Sequence, residues 1–143
     1  MTTPLPFGLT KQHLALCNAL AQQAAAKGNP PVGCLILQNG EIIAQAEEAT
    51  KTKQDITCHA EIEALRQARQ KLHTTDFSNC VLLTTHEPCV MCGYAIRFHR
   101  ISQVVYASPV PYLGSISSSF NVLMTDQVPN HWASSPEIVL LKF

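Results

Sequence analysis

Cys89 and Cys92 stand three residues apart directly after Pro88, and His59 stands thirty residues before Cys89. No other feature constrains the fold as tightly. Residues i and i+3 share one helix face, so two thiolates at a helix start can converge on one metal ion. Free N–H groups and the helix dipole lower thiol pKa values at such a start. His59 opens a second helical pattern and supplies a third ligand. Soft sulfur with imidazole suits zinc. A fold for this chain therefore has to bring two helix N-termini to one point.

Three ligands leave a tetrahedral zinc open to water, as catalytic sites do, whereas structural sites close with four. Glu61, two residues after His59, is placed to move protons there without binding the metal. Two other readings remain open. A closed zinc knot would recruit Cys58 or His86 as the fourth ligand. A thioredoxin-like pair would use Cys89 and Cys92 for redox work and leave Glu61 without a role.

The surrounding pattern is that of a mixed α/β layer. Leu14, Cys17, Ala21 and Ala24 recur at helical spacing between Thr10, a capping residue, and the stop Gly28-Asn29-Pro30-Pro31. Val32 to Gln38 and Glu41 to about Glu47 read as strands joined by Asn39-Gly40, a hairpin turn. A polar stretch from Thr50 to Thr57 leads to a helix from about Cys58 to His73. Val81 to Thr85 reads as a strand, and Pro88, at a first helical position, opens a helix to about His99. Val104 to Tyr106 is a strand, residues 108–119 a Pro-, Gly- and Ser-rich loop, and Ile138 to Leu141 a last strand. The strand–helix–strand order implies a parallel pair. With 143 residues the sequence is expected to form one domain, residues 1–143.

Six cysteines in a chain with no apparent secretory segment point to a reducing, cytoplasmic setting. Cys17, Cys34 and Cys80 fall in apolar contexts as buried thiols. His13, His73 and His99 fall at helix ends or on the surface. No apolar run reaches the ~18 residues of a membrane span. Ten basic and ten acidic residues give zero net charge, which argues against a partner held by phosphate neutralisation. Arg66, Arg69 and Lys71 read as a solvated helix face. Nucleic acid is therefore an unlikely partner on this reading.

His59-Ala60-Glu61 followed by Pro88-Cys89-Val90-Met91-Cys92 is the H-x-E, P-C-x-x-C signature of zinc deaminases. Together with Pro31-Val32-Gly33, it makes the chain resemble the cytidine-deaminase-like superfamily from about Leu9 to Tyr106. Within it, the chain is similar to the branch of guanine deaminases, tRNA adenosine deaminases and cytosine deaminases. The resemblance implies a three-layer α/β/α sandwich on a central five-stranded mixed sheet, and usually a homodimer. It implies zinc on His59, Cys89 and Cys92, hydrolytic loss of an exocyclic amine as ammonia, and Glu61 as the proton carrier. The Ala60 N–H would hold a ring heteroatom.

Purine deaminases of this branch usually carry Asn thirteen residues before the catalytic Glu; here that residue is Glu48. An ionised Glu only accepts hydrogen bonds, where Asn also donates. A Glu48 in the pocket favours a ligand presenting N–H groups, such as guanine, isocytosine or an aminotriazine. Glu47 takes that place if the hairpin shifts by one residue. Tyr112, Phe120 and Trp132 are candidates for stacking on the ring. The expectation is a deaminase of a free nucleobase or related amino-heterocycle. The alternatives are a tRNA adenosine deaminase and a catalytically silent, zinc-stabilised subunit.

Overall fold

The structure, a computed structural model, describes residues 4–143; Met1-Thr2-Thr3, the start of the stretch in which no secretory segment is read, lies outside the described residues. Helix α1 (Lys11–Ala26) begins with a reciprocal cap. The Thr10 hydroxyl accepts the His13 N–H, and His13 Nδ1 accepts the Thr10 N–H, which satisfies two otherwise orphaned donors. The chain leaves the helix through Gly28, whose φ of 86° suits glycine.

Strands β1 (Gly33–Gln38) and β2 (Glu41–Glu47) form the antiparallel hairpin. Asn39 and Gly40 have φ of 52° and 78°, the two positive values a type I′ turn needs. Strand β3 (Cys80–His86) pairs antiparallel with β1 and parallel with β4 (Gln103–Ser108), which pairs parallel with β5 (Glu137–Leu140). The order is β2-β1-β3-β4-β5, so the mixed five-stranded sheet expected from the resemblance is the one observed.

Side chains alternate across a sheet, and the central strands divide between two cores. Leu35, Leu37, Val81, Leu83 and Val105 pack with Cys17 and Leu20 of α1 on one face. Cys34, Ile36, Leu82 and Val104 face the other way, against α3 (Ala60–Leu72) and α4 (Val90–Phe98). Cys17, Cys34 and Cys80 are buried free thiols, as expected. Burial pushes the Cys17 thiol up to about 12; it donates to the Gly33 carbonyl at 3.2 Å.

Two local expectations need correction. The polar stretch after β2 contains a one-turn helix, α2 (Thr50–Lys53). Buried Asn29 makes it, since its Oδ1 accepts the N–H groups of Lys51 and Thr52 and its Nδ2 donates to Thr52 Oγ1. Those partners lie more than twenty residues away in sequence, beyond any local pattern. Pro88 is not the first residue of α4 but precedes its N-cap, Cys89. It keeps the chain extended up to the cap.

Helix α1 presses on β1 at Gly33, where an added Cβ would lie 2.2 Å from the Cys17 carbonyl oxygen and 2.9 Å from the Ala21 nitrogen. Both are backbone atoms, so the helix itself would have to move. Gly33→Ala is expected to cost roughly 1–3 kcal/mol, read as a lower urea midpoint with an unchanged slope.

Candidate active site

His59 is the N-cap of α3 and Cys89 the N-cap of α4, both in extended conformation and neither capping with its side chain. Their side chains are thus free to meet. His59 Nδ1 lies 3.6 Å from Cys89 Sγ and 3.4 Å from Cys92 Sγ. Tetrahedral zinc with Zn–S near 2.3 Å and Zn–N near 2.0 Å puts ligand N and S roughly 3.5 Å apart. The three ligand atoms all lie within 4.8 Å of one another. The donor set therefore fits zinc in both element type and spacing.

Among the described residues, no fourth His, Cys or carboxylate joins this group. Cys58 is buried and receives the Arg66 guanidinium at 3.6 Å. His86 has its Nδ1 3.0 Å from the Thr85 hydroxyl, and burial lowers its basicity. Neither closes the site. The hydrogen bond from Cys92 pulls the Cys89 thiol down to about 4, and the same bond drives Cys92 upward. Contact with Cys89 raises His59. The site already favours a thiolate at the crossing of two helix N-termini.

Glu61 is 4% exposed, and burial pushes its carboxyl up to about 7. Its Oε1 is buried without a hydrogen-bond partner. A cavity of about 310 Å³ opens beside it, lined by Pro30, Val32, Glu48, His59, Glu61, His86, Glu87, Cys89 and Val110. Of the two candidate acids on the hairpin, Glu48 is the one in this wall. It follows β2, with its N–H on the Val32 carbonyl. Its carboxylate accepts the Thr50 N–H at 2.6 Å and the Thr50 hydroxyl at 3.1 Å. Glu47 pairs with Lys27 at 3.3 Å instead.

Ala60 is fully buried as the first residue of α3, so its N–H is among the amides with no partner inside the helix. The three aromatic candidates are not in the cavity wall. Trp132 stands edge-on to Tyr94 and Phe98 of α4. Tyr112 and Phe120 are 87% and 54% exposed on the loop after β4.

Glu87 has a role that residue-by-residue reading missed. It is 3% exposed, and its carboxylate collects the N–H groups of Val110, Ile116 and Ser117 and the Ser117 hydroxyl, all at 2.7–3.0 Å. Burial opposes its charge, but these donors outweigh that and hold the carboxyl below its usual range. The acid thus clamps the loop that forms one wall of the cavity. Its donors, three of them backbone N–H groups, lie 23 to 30 residues away, so no local side-chain pattern announces them.

Comparison with known proteins agrees with this geometry. Residues 9–108 match the family model described as the cytidine and deoxycytidylate deaminase zinc-binding region. The chain belongs to that family. It is 39% identical over 103 residues to a tRNA-specific adenosine deaminase of Aquifex aeolicus, covering 72% of this chain and 68% of that protein. It is 38% identical over 121 residues to a tRNA(Ile)-lysidine synthase of Deinococcus radiodurans, covering 84% of this chain but only 20% of that protein. A solved structure from a study of A-to-I editing at the wobble position of transfer RNA superimposes with a TM-score of 0.80 at 30% identity, covering 90% of this chain and 95% of the other. A guanine deaminase of Bacillus subtilis gives a TM-score of 0.66 at 34% identity over 71% of this chain and 66% of its own.

These relatives overturn the expectation that nucleic acid is an unlikely partner. Relatives named for their action on tRNA match most of the chain. Zero net charge is a whole-chain average, and a solvated face of cations is open to a partner as much as to water, since nucleic-acid contact depends on local surface. The structure exposes Lys51, Lys53, Arg66 and Arg69.

Replacing Glu87 by Gln keeps the shape but turns one acceptor oxygen into a donor facing N–H groups. Glu87→Gln is expected to destabilise the protein by about 2 kcal/mol. Hydrogen exchange at Val110, Ile116 and Ser117 should accelerate more than in β1 or β3.

Proposed function

We propose that the chain is a zinc-dependent hydrolytic deaminase acting on adenosine in transfer RNA. The observation that carries the chemistry is the three-ligand cluster beside a buried carboxylate with an unpartnered oxygen at the wall of a cavity. The likeness to tRNA-specific adenosine deaminases supports the substrate class.

In this reading His59 Nδ1, Cys89 Sγ and Cys92 Sγ hold the metal. Zinc supplies Lewis acidity that brings the pKa of water from 15.7 to about 7. Glu61 performs the proton traffic: it takes a proton from the attacking water and delivers it toward the departing nitrogen. Oxygen is added to the amino-bearing ring carbon, the C–N bond breaks and ammonia leaves, giving inosine from adenosine. A carboxyl pushed up by burial to about 7 suits both halves of that traffic, with a nearby dication opposing the rise. The Ala60 N–H, at the positive end of α3, is available to a ring heteroatom. The cavity walls Pro30, Val32 and Val110 offer apolar surface to a flat ring.

Purified protein incubated with unmodified tRNA should form inosine. Glu61→Ala should retain about one zinc per chain while turnover falls by at least 10²-fold. Undiminished turnover in that variant would remove the mechanism, and absence of inosine with the wild type would remove the substrate.

Glu48 bears on which base is accepted. Its oxygens hold both Thr50 donors, and its remaining capacity is acceptor-only. On the Watson–Crick edge adenine sets the acceptor N1 beside its 6-amino donor, whereas guanine presents two donors, N1–H and the 2-amino group. Glu48→Asn supplies a donor as well. It should leave zinc content unchanged and raise the preference for adenosine over guanosine by roughly tenfold, the effect of one hydrogen bond. Equal changes for both bases would show that Glu48 does not select between them.

A further inference from the structure

We propose that His86 is a specificity-determining residue: its Nε2–H donates to N7 of the adenine in the cavity, an assignment that rests on the reading of adenosine in RNA given above. Thr85 is the residue that fixes this donor in place.

The hydrogen bonds of Thr85 decide where the imidazole proton sits. Thr85 is 5% exposed. Its hydroxyl oxygen accepts the Gly33 N–H at 3.1 Å and stands 3.0 Å from His86 Nδ1. A hydroxyl carries one proton of its own. Gly33 needs none of it, so Nδ1 is the acceptor left for it among the described residues. Any other arrangement leaves a buried donor without a partner. Nδ1 therefore accepts, and the ring proton is on Nε2. Burial lowers the basicity of His86, which keeps the imidazole neutral and the tautomer single.

The strand then aims that donor. Cys80 and Leu82 of β3 belong to the core shared with α3 and α4, and alternation puts His86 on the same face. It stands three residues before Cys89 and lines the cavity of about 310 Å³ together with Glu48 and Glu61. The two ring nitrogens lie on nearly opposite sides of an imidazole, so a ring with Nδ1 on Thr85 turns Nε2 away from that hydroxyl. Nε2 has no partner among the described residues and is not sealed in the interior.

Adenine supplies the atom that fits. Its amino-bearing carbon reacts beside Glu61. The acceptors left over are N7, next to the amino group, and N3, on the sugar side. An ionised carboxylate binds neither, because Glu48 only accepts. A neutral imidazole with its proton on Nε2 binds either one. N7 enters the cavity with the reacting amino group, whereas N3 stays toward the ribose at the mouth. His86 thus provides the donor that residue 48 lacks, from the opposite end of the sequence motif.

Two measurements test this on the zinc-loaded full chain. In the imidazole nitrogen NMR spectrum, His86 should show a protonated Nε2 and a bare Nδ1; a protonated Nδ1 overturns the assignment. The second measurement uses an RNA stem-loop with one adenosine in its loop, and the same RNA with 7-deazaadenosine or 3-deazaadenosine there. His86→Leu should lower kcat/KM on the adenosine RNA roughly tenfold with zinc content unchanged. His86→Gln, which keeps an N–H donor near the place of Nε2, should recover most of that loss. Wild type should lose a similar factor on the 7-deaza RNA, and His86→Leu should lose nothing further there. On the 3-deaza RNA the two losses should multiply. No loss in His86→Leu, or losses that multiply on the 7-deaza RNA, overturns the role of His86 while leaving the deaminase reading intact. No inosine from wild type on the adenosine RNA overturns that reading and the role of His86 with it.

Discussion

Two helix N-termini whose cap residues meet at one point are the constraint on which the rest of this structure depends. Each presents free N–H groups and a positive dipole end, an arrangement that is unfavourable unless negative charge lies between them. The chain supplies that charge as sulfur. Cys89 sits at one of the two caps, with its thiol drawn down to about 4, and His59 sits at the other. A zinc ion bound there is held by rigid elements on both sides, because α3 and α4 lie on one face of the same sheet and share its core.

Around that point the chain buries three carboxylates, and hydrogen-bond supply separates their roles. Glu87 is saturated by loop amides and a hydroxyl, so it fixes structure. Glu48 is held by Thr50 from both oxygens yet still lines the cavity, so it is part of the wall. Glu61 keeps one oxygen with no partner. An unsatisfied buried oxygen is costly, and it persists here where a ligand can complete it. Composition cannot make this distinction; it depends on which backbone donors the fold brings to each acid.

The hairpin, the main helices and the Cys89–Cys92 pair were legible because they rest on short-range signals, while the five-stranded sheet was legible only through the family resemblance that the two motifs carry together. Cap residues, a two-residue turn and i, i+3 spacing act within a few residues. The cavity wall was less legible. Glu48 and Glu47 are adjacent, and a strand slipped by one residue exchanges their faces; the pairing of Gly33 with Glu47 settles which one turns outward to Lys27. Trp132, by sequence a candidate for ring stacking, packs edge-on against α4, because the chain after β4 folds back over Arg97, whose guanidinium binds the Val122 carbonyl at 3.0 Å. The partner class was not legible for a different reason: a solvated helix face and a nucleic-acid-binding face carry the same exposed cations.

By itself, the sequence determined the chemistry that can occur: which atoms bind a soft metal, which acid stands two residues from a ligand, and where strands turn. Those outcomes follow from local bonding geometry, which the chain carries wherever it folds. Only the tertiary structure decided that His59 meets Cys89 and Cys92, that neither Cys58 nor His86 joins them as a fourth ligand, and that Glu87 ties a distant loop into the cavity wall. The meeting of His59 with the two cysteines and the Glu87 clamp both join segments more than twenty residues apart. Their proximity is set by how two layers of helices pack on a twisted sheet.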